Sequence, residues 1–377
     1  MIYLDHAATT QPYAEVIEVM NEMQFRFFGN PSSLHQLGIE ARKKLNQAKH
    51  SIAQTIGSDR KQIVFTASGT EANNHILKGY AFKNPYKTIV STPTEHHSVE
   101  HCLKALKDRG ISIVLLDVNA EGLIDVTQLK HILATHDVGL VSILYANNET
   151  GALQPIEAIV EAVHRAGALI HCDMVQVPLH KAVNVNASKI DFATFSAHKF
   201  HGPKGLGFFT AQNFESLERL IDGGNQEFKQ RAGTENLPAI VATALALEIT
   251  QSKREHNEAI IAQRAHFFIT LLNRRGIDYR LNGPDLEGPR FKATLNIGFK
   301  NVDASALSFD LDQQNIHLSL GSACTADSIE PSHVLTHMKV PEDYLRGSLR
   351  FSLGAELSEN DMIDVVNAID HYLKEAA

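Results

Sequence analysis

Cysteine is scarce in this chain of 377 residues. Cys102, Cys172 and Cys324 are its whole supply, too few and too scattered for a disulfide framework, so a reducing, cytoplasmic setting is expected. No stretch approaches the roughly 18 consecutive apolar residues that a membrane span needs. The opening MIYLDHAATT has neither the basic nor the apolar region of a signal peptide. An excess of basic charge is missing as well: the formal net charge is −8, which argues against a nucleic-acid surface as the main business. Long runs of like charge, internal repeats and low-complexity segments are also absent. These absences leave a soluble globular protein, long enough for two domains and a sizeable core.

What is present has a clear order. From about residue 60 to 210, seven short runs read as strands: QIVFTAS, KTIVST, ISIVLLDV, GLVSILYA, ALIHCD, FATFSA and GLGFFTA. Several are continuously apolar, as expected of strands covered on both faces. Helical patterns such as SVEHCLKALKDRG and PIEAIVEAVHRAG lie between them, each closing on a glycine suited to a C-cap. This alternation predicts a mostly parallel sheet with helices on both faces. Ligands of such sheets sit beyond the carboxyl ends of the strands.

Before this core, Leu34, Leu37, Ala41, Leu45, Ala48, Ile52 and Ile56 step by three or four and are followed by Gly57, an amphipathic helix with a stop signal. A long helical pattern from about Ile240 to Leu272 could carry the chain from one domain into another. ATLNIGF, LSLGSAC and GSLRFSLG then read as strand-rich, and a last amphipathic helix begins at a possible capping box of Ser358 and Asp361. The expected division is a large α/β domain over residues 12–255 and a smaller α+β domain over 256–377, joined by residues 1–11.

Several short stretches carry chemistry. In FSAHKFHGPKG, Lys199 follows a buried-looking strand directly, where partial burial would make its amine competent to form a Schiff base; an ordinary surface lysine is the competing reading. Asp173 closes ALIHCD, where a buried carboxylate needs a cationic partner such as a protonated pyridine nitrogen, unless it merely caps the next turn. TASGTEANN places Ser68, Gly69 and Thr70 at a strand-to-helix junction, which suits either an anion cradle or a plain N-cap. The histidine-rich TEHHSVEH and AHKFHG show neither HExxH nor paired CxxC spacing, so no metal is expected. A single imidazole stacked on an aromatic ring or moving a proton fits better. Cys102 and Cys172 sit in a helical and a strand pattern, as inert thiols do. Cys324 lies among small and polar residues, a setting open to an accessible nucleophile or to an inert side chain.

Taken in order, YLDHAATT, FGNPSSLH, TASGTEANN, TEHHSV, ANNETG, HCDMVQ, SAHKFHGPKG, QRAGTEN, GSACTADSIEPSHVL and RFSLG span nearly the whole chain. The chain thereby resembles the NifS/IscS-like cysteine desulfurases, pyridoxal-phosphate enzymes of the aspartate-aminotransferase fold (fold type I). The resemblance implies that Lys199 holds pyridoxal 5'-phosphate covalently and moves protons on the substrate carbon. Asp173 would pair with the pyridine nitrogen, Gln176 with the phenolic oxygen, and His96 would stack on the ring and assist proton transfer. Gly69, Thr70, Ser196 and His198 would hold the phosphate, joined by Thr234 from the second subunit of a homodimer. Asn148 and Arg350 would grip the carboxylate of L-cysteine. Cys324 would take the sulfur as a persulfide, release L-alanine, and pass the sulfur to an acceptor protein serving iron–sulfur assembly or tRNA or thiamine thiolation. The spacing Cys-x₆-Pro-Ser-His is that of class I, with its long loop.

Four positions depart from the pattern. Leu320 stands where Ser is common, Asn225 replaces Gly in GGNQE, His6 appears in DHAATT, and His201 follows HKF where Tyr is usual. The Asn225 change bears on the backbone of its loop, because Asn tolerates positive φ less freely than Gly. Leu320 could alter whom the Cys324 loop meets, which suggests dedication to one acceptor. Another fold type I enzyme (a selenocysteine lyase or an aminotransferase) and a degenerate scaffold are the competing readings.

Overall fold

The structure is a computed structural model that describes residues 1–320 and 331–375. All seven strand-like runs pair into one sheet: β2 (Ile63–Thr66), β3 (Thr88–Ser91), β4 (Ile113–Leu115), β5 (Val138–Leu144), β6 (Leu169–Asp173), β7 (Phe192–Ser196) and β8 (Gly207–Ala211), in the order β2-β8-β7-β6-β5-β3-β4. Only β8 runs against its neighbours; the other pairings are parallel. Alternate side chains feed opposite faces, as the pleat requires. Ile63, Phe65, Ala193 and Phe208 join one apolar cluster, while Val64, Phe192 and Phe209 join the cluster on the other face.

Helices cover both faces. On one side lie α1 (Ala14–Arg26), α2 (Gln36–Thr55), α5 (Val126–Thr135), α6 (Ile156–Arg165) and α7 (Val177–His180). On the other lie α3 (Gly69–Lys83) and α4 (His97–Lys107). Helix α2 begins later than its periodicity suggested: Leu34 lies outside it, and Leu34 and Leu37 are exposed. The packed apolar stripe starts at Ala41, and of the first turn Gly38 is buried, close to Ser33 and Asn30. The glycine stop holds, with Gly57 in the left-handed region at φ 61.

Helix α8 (Leu237–Arg275) is the long helix read from the sequence. Its first half, including Ile240 and Leu247, packs with the large sheet; Ile261, Phe268 and Leu272 enter a separate core. That second core is built on an antiparallel sheet of β9 (Tyr279–Asn282), β10 (Thr294–Phe299) and β12 (Ser348–Ser352), in the order β12-β10-β9. Around it lie α9 (Ala304–Gln313), α11 (Glu342–Leu345) and α12 (Glu359–Glu375), with α10 (His333–His337) forming a small satellite cluster. At the start of α12 the Asp361 N–H donates to Ser358 Oγ at 3.1 Å and the Ser358 N–H donates to Asp361 Oδ2 at 2.8 Å, which completes the capping box. Of LSLGSAC only residues 318–320 fall among the described residues; just before them Ile316–His317 (β11) pairs with β1 (Ile2–Tyr3), and Ser319 forms a bridge with Arg350. Leu4 and Ser352 continue that tie through backbone hydrogen bonds, so the start of the chain is held beside β12.

Candidate active site

A cavity of ≈ 320 Å³ opens at the carboxyl ends of β2, β5, β6 and β7, where ligands of such sheets are expected. It brings together Lys199, Asp173, His96, Gln176, Gly69, Thr70, Ser196, His198, Asn148 and Arg350. Thr234 is exposed and does not line it. Cys324 lies outside the described residues.

The floor is made by strand ends. Asp173 closes β6 and is 3% exposed. Its carboxylate accepts from Asn73 Nδ2 at 2.7 Å and from the Val175 N–H at 3.0 Å. Burial still holds its pKa above the ordinary carboxylate value, so a cationic ligand group would relieve the cost of ionising it. Asn73 also donates to Ser98 Oγ at 2.9 Å. It sits inside TASGTEANN, but its position one turn into α3 gave no sign that it would reach across to β6.

Helix α3 starts at this same edge. Ser68 caps it by accepting from the Glu71 N–H at 3.1 Å. A Cβ on Gly69 would come within 3.1 Å of Val175 Cγ2 and 3.3 Å of the Ser196 Cβ; a bare backbone is what fits there. Free N–H groups of the first turn and the helix dipole suit an anion at this point. Glu71 faces away and is held by Arg231 at 2.9 Å.

His96 caps α4, accepting from the Ser98 N–H through Nδ1 at 3.1 Å. That bond leaves the ring proton of the neutral form on Nε2. Burial, followed by the Lys199 charge, pushes its pKa down to about 4. His96 is therefore neutral near pH 7 and able to stack or to take up a proton. His198 is pushed to about 4 for the same two reasons, and its Nδ1 lies 3.1 Å from Thr9 Oγ1.

Lys199 emerges from a single 3₁₀ turn immediately after β7. Its Nζ donates to the carbonyls of Ala7 at 2.6 Å and Ala8 at 2.8 Å. Gln176 Nε2 donates to the same Ala7 carbonyl at 2.9 Å. The N-terminal segment thus packs against the lysine, which the sequence motif YLDHAATT did not disclose.

Arg350 in β12 forms the opposite wall and is 2% exposed. Its Nη2 donates to Asp5 Oδ1 at 2.8 Å and its Nη1 to the Asn148 carbonyl at 3.3 Å. Asp5 had no assigned role in the sequence, and only the fold brings it to Arg350. Ser319 exchanges backbone hydrogen bonds with Arg350, and the exposed Leu320 follows it. On the far side of residues 321–330, Ser332 Oγ donates to Glu149 Oε2 at 2.5 Å and His333 Nε2 lies 3.0 Å from the Glu95 carbonyl.

Three further departures have structural addresses. Asn225 is not among the residues with positive φ; the left-handed positions nearby are Gly223, Glu227, Phe228 and Lys229. Its backbone therefore makes no demand that only glycine meets. His6 and His201 meet outside the main cavity, with ring centroids 6.5 Å apart. His6 Nε2 is 2.6 Å from Glu356 Oε1 and Tyr13 stacks on His201 at 4.3 Å. They line a second cavity of ≈ 310 Å³.

The donors around the main cavity fit a ligand carrying an anionic end, a cationic ring edge and a carbonyl within reach of an amine. Residues 2–365 match the aminotransferase class-V family. The chain is 37% identical to "Cysteine desulfurase IscS" of Dictyoglomus turgidum, covering 99% of this chain and 95% of that protein. It is 42% identical to "Putative cysteine desulfurase IscS 1" of Bacillus subtilis, covering 94% and 93% of the two chains. Among solved structures it is similar to a NifS-like protein, with a TM-score of 0.92 and 32% identity over 99% of both chains. A second likeness is to SspA in complex with cysteine, with a TM-score of 0.82 and 31% identity over 94% of this chain and 99% of that one.

Proposed function

The chain belongs to the aminotransferase class-V family and is a cysteine desulfurase, and on that premise we propose how its residues divide the work. Pyridoxal 5'-phosphate is the cofactor that fits; when bound, it supplies a carbonyl for an amine and a protonated ring that draws electrons from the substrate α-carbon. Lys199 holds it, with Asp173 at the ring nitrogen, Gln176 at the phenolic oxygen and His96 against the ring face. Gly69, Thr70, Ser196 and His198 hold the phosphate. Thr234, exposed on its own chain, completes that cradle from the second subunit of a homodimer. Residues 12–255 form the cofactor-binding domain, and 256–377 with 1–11 form the smaller one.

Arg350 and Asn148 orient the carboxylate of L-cysteine, a task for which a guanidinium fork is well shaped. Lys199 Nζ removes the α-proton and returns it. His96, neutral at working pH, takes the proton of the substrate thiol or amine. Cys324 Sγ, as a thiolate, attacks the substrate sulfur: an S–S bond forms and the C–S bond breaks. The carbon skeleton keeps the electron pair and leaves, once protonated, as L-alanine. The sulfur stays on Cys324 as a persulfide until a cytoplasmic acceptor protein takes it, for iron–sulfur assembly or for tRNA or thiamine thiolation. Leu320, exposed just before the Cys324 segment, contributes to the choice of one dedicated acceptor.

The observation that supports this reading most is that Lys199, Asp173, His96 and Arg350, far apart in the chain, line one cavity. Its test is the Cys324→Ser enzyme supplied with L-cysteine. Alanine formation should stop, while the same variant without cysteine keeps the absorbance of the Lys199-bound cofactor. A Cys324→Ser enzyme that still converted cysteine to alanine would overturn the mechanism. Mass spectrometry of the wild type after one turnover should find one additional sulfur on the peptide containing Cys324.

A further inference from the structure

Helix α4 opens with His97-Ser98-Val99-Glu100-His101. Spacings of three and four residues put His97, Glu100 and His101 on one helical face. The order H-x-x-E-H is also one that a class of zinc peptidases uses to place two imidazoles on a metal. It is neither of the spacings, HExxH and CxxC, whose absence argued against a metal. Here the ligand atoms of all three residues lie within 4.8 Å of one another.

The fold adds a fourth donor that the sequence keeps far away. From the Glu100 Oε2 atom, His97 Nδ1 is 2.9 Å distant, His101 Nε2 3.9 Å and His333 Nε2 3.7 Å. Donors on a tetrahedral ion with bonds of about 2.0–2.1 Å are about 3.3 Å apart. The three distances from Glu100 Oε2 bracket that edge. The rings are also crowded: His97 lies 4.9 Å from His101 and 4.7 Å from His333 between centroids. Imidazoles gathered about one carboxylate are a donor set that zinc, nickel and copper favour.

We propose that His97, Glu100, His101 and His333 form a binding site for a divalent d-block cation of the zinc and nickel class, at the rim of the substrate cavity. His97 and His333 are walls of that cavity as well as ligands. A bound cation would tie α10 to α4, and His333 would exchange its contact with the Glu95 carbonyl for the metal. The site is separate from the cofactor residues and does not depend on the roles assigned to them.

The test is calorimetric titration of the tag-free holoenzyme with Ni²⁺ in thiol-free buffer at neutral pH. Wild type should bind one equivalent per chain. His101→Ala, whose side chain is 70% exposed and whose loss should leave folding intact, should bind about 10-fold or more weakly. Glu100→Gln should weaken binding as well, and Cys324→Ser should leave it unchanged. Wild-type affinity in both His101→Ala and Glu100→Gln would overturn the proposal, as would loss of binding in Cys324→Ser or no binding by wild type at millimolar Ni²⁺.

Discussion

The floor of the cavity and its rim both bury ionisable groups, but they hold them by different means. On the floor, partners come from the same sheet and its helices. Asp173 is bonded by Asn73 and by the Val175 amide, and Glu95 accepts from Thr92 Oγ1 at 2.8 Å and the Leu144 N–H at 2.9 Å. Beneath the lining, within β6, His171 sits between Ser142 Oγ at 2.9 Å and Thr194 Oγ1 at 3.0 Å. Burial dominates there: it lifts Asp173, lifts Glu95 to about 8, and lowers His171 to about 3. On the rim, each contact joins distant segments: Arg350 to Asp5 and Asn148, Gln176 to Ala7, Ser332 to Glu149. The floor sets protonation states through desolvation, whereas the rim sets geometry by tying the first ten residues and β12 to the sheet edge. Lys199 belongs to both, rooted after β7 and bonded to Ala7 and Ala8.

Removing the shared member should cost most. Lys199→Ala is expected to lower alanine formation from L-cysteine by about 10³-fold or more, since no other lysine among the described residues lines the cavity. A residual rate within tenfold of wild type would remove Lys199 from the chemistry. On the floor alone, Asp173→Asn keeps the shape and discards the charge. It should reduce kcat by about 10²–10³-fold with little change in KM, as loss of a fixed electrostatic partner does. A variant that instead raised KM would make Asp173 a binding residue of the rim type.

The rim should respond in the other parameter. Asp5→Asn weakens the charge-assisted bond that aims Arg350, and such bonds are worth about 1.5–3 kcal/mol. The KM for L-cysteine should rise by about 10-fold, with kcat within about 3-fold of wild type. Asp5 touches the guanidinium and acts by positioning it, so Asp5→Glu should restore part of the loss. A fall in kcat with KM unchanged would erase the distinction between the two walls.

The same distinction explains what could be read in the sequence. The seven strands were legible because several are continuously apolar and all are bounded by turn residues. Lys199 and Asp173 were legible because they follow or end such runs, and His96 only through the family resemblance. Asn73 and Asp5 were not. Asn73 acts across from α3 to β6, and Asp5 reaches Arg350 only because β1 pairs with β11 beside β12; neither pairing leaves a local pattern. His333 is the clearest case at the rim: its sequence neighbours say nothing of the imidazoles on α4 that it meets.

The smallest expected effect isolates the floor's desolvation. Glu95 is buried, and one of its carboxylate oxygens, Oε2, has no hydrogen-bond partner among the described residues, which favours the protonated acid. Its pKa rises from 4.5 to about 8 on folding, chiefly through burial. Between those values the folded chain keeps a proton that the unfolded chain gives up. The contribution of Glu95 to stability is therefore fully present below pH 4.5 and is lost as pH rises through about 8. Glu95→Gln keeps an oxygen to accept from Thr92 and the Leu144 amide, and it cannot ionise. Its thermal midpoint should match wild type within about 1 °C near pH 5 and exceed it by about 2–4 °C near pH 8.5. Glu227, whose pKa is also raised by burial, titrates in both proteins and cancels from the difference. Calorimetric scans at the two pH values decide the matter. An equal gap at both would mean that Glu95 is already ionised in the folded state, and that the floor holds its charges by pairing, as the rim does.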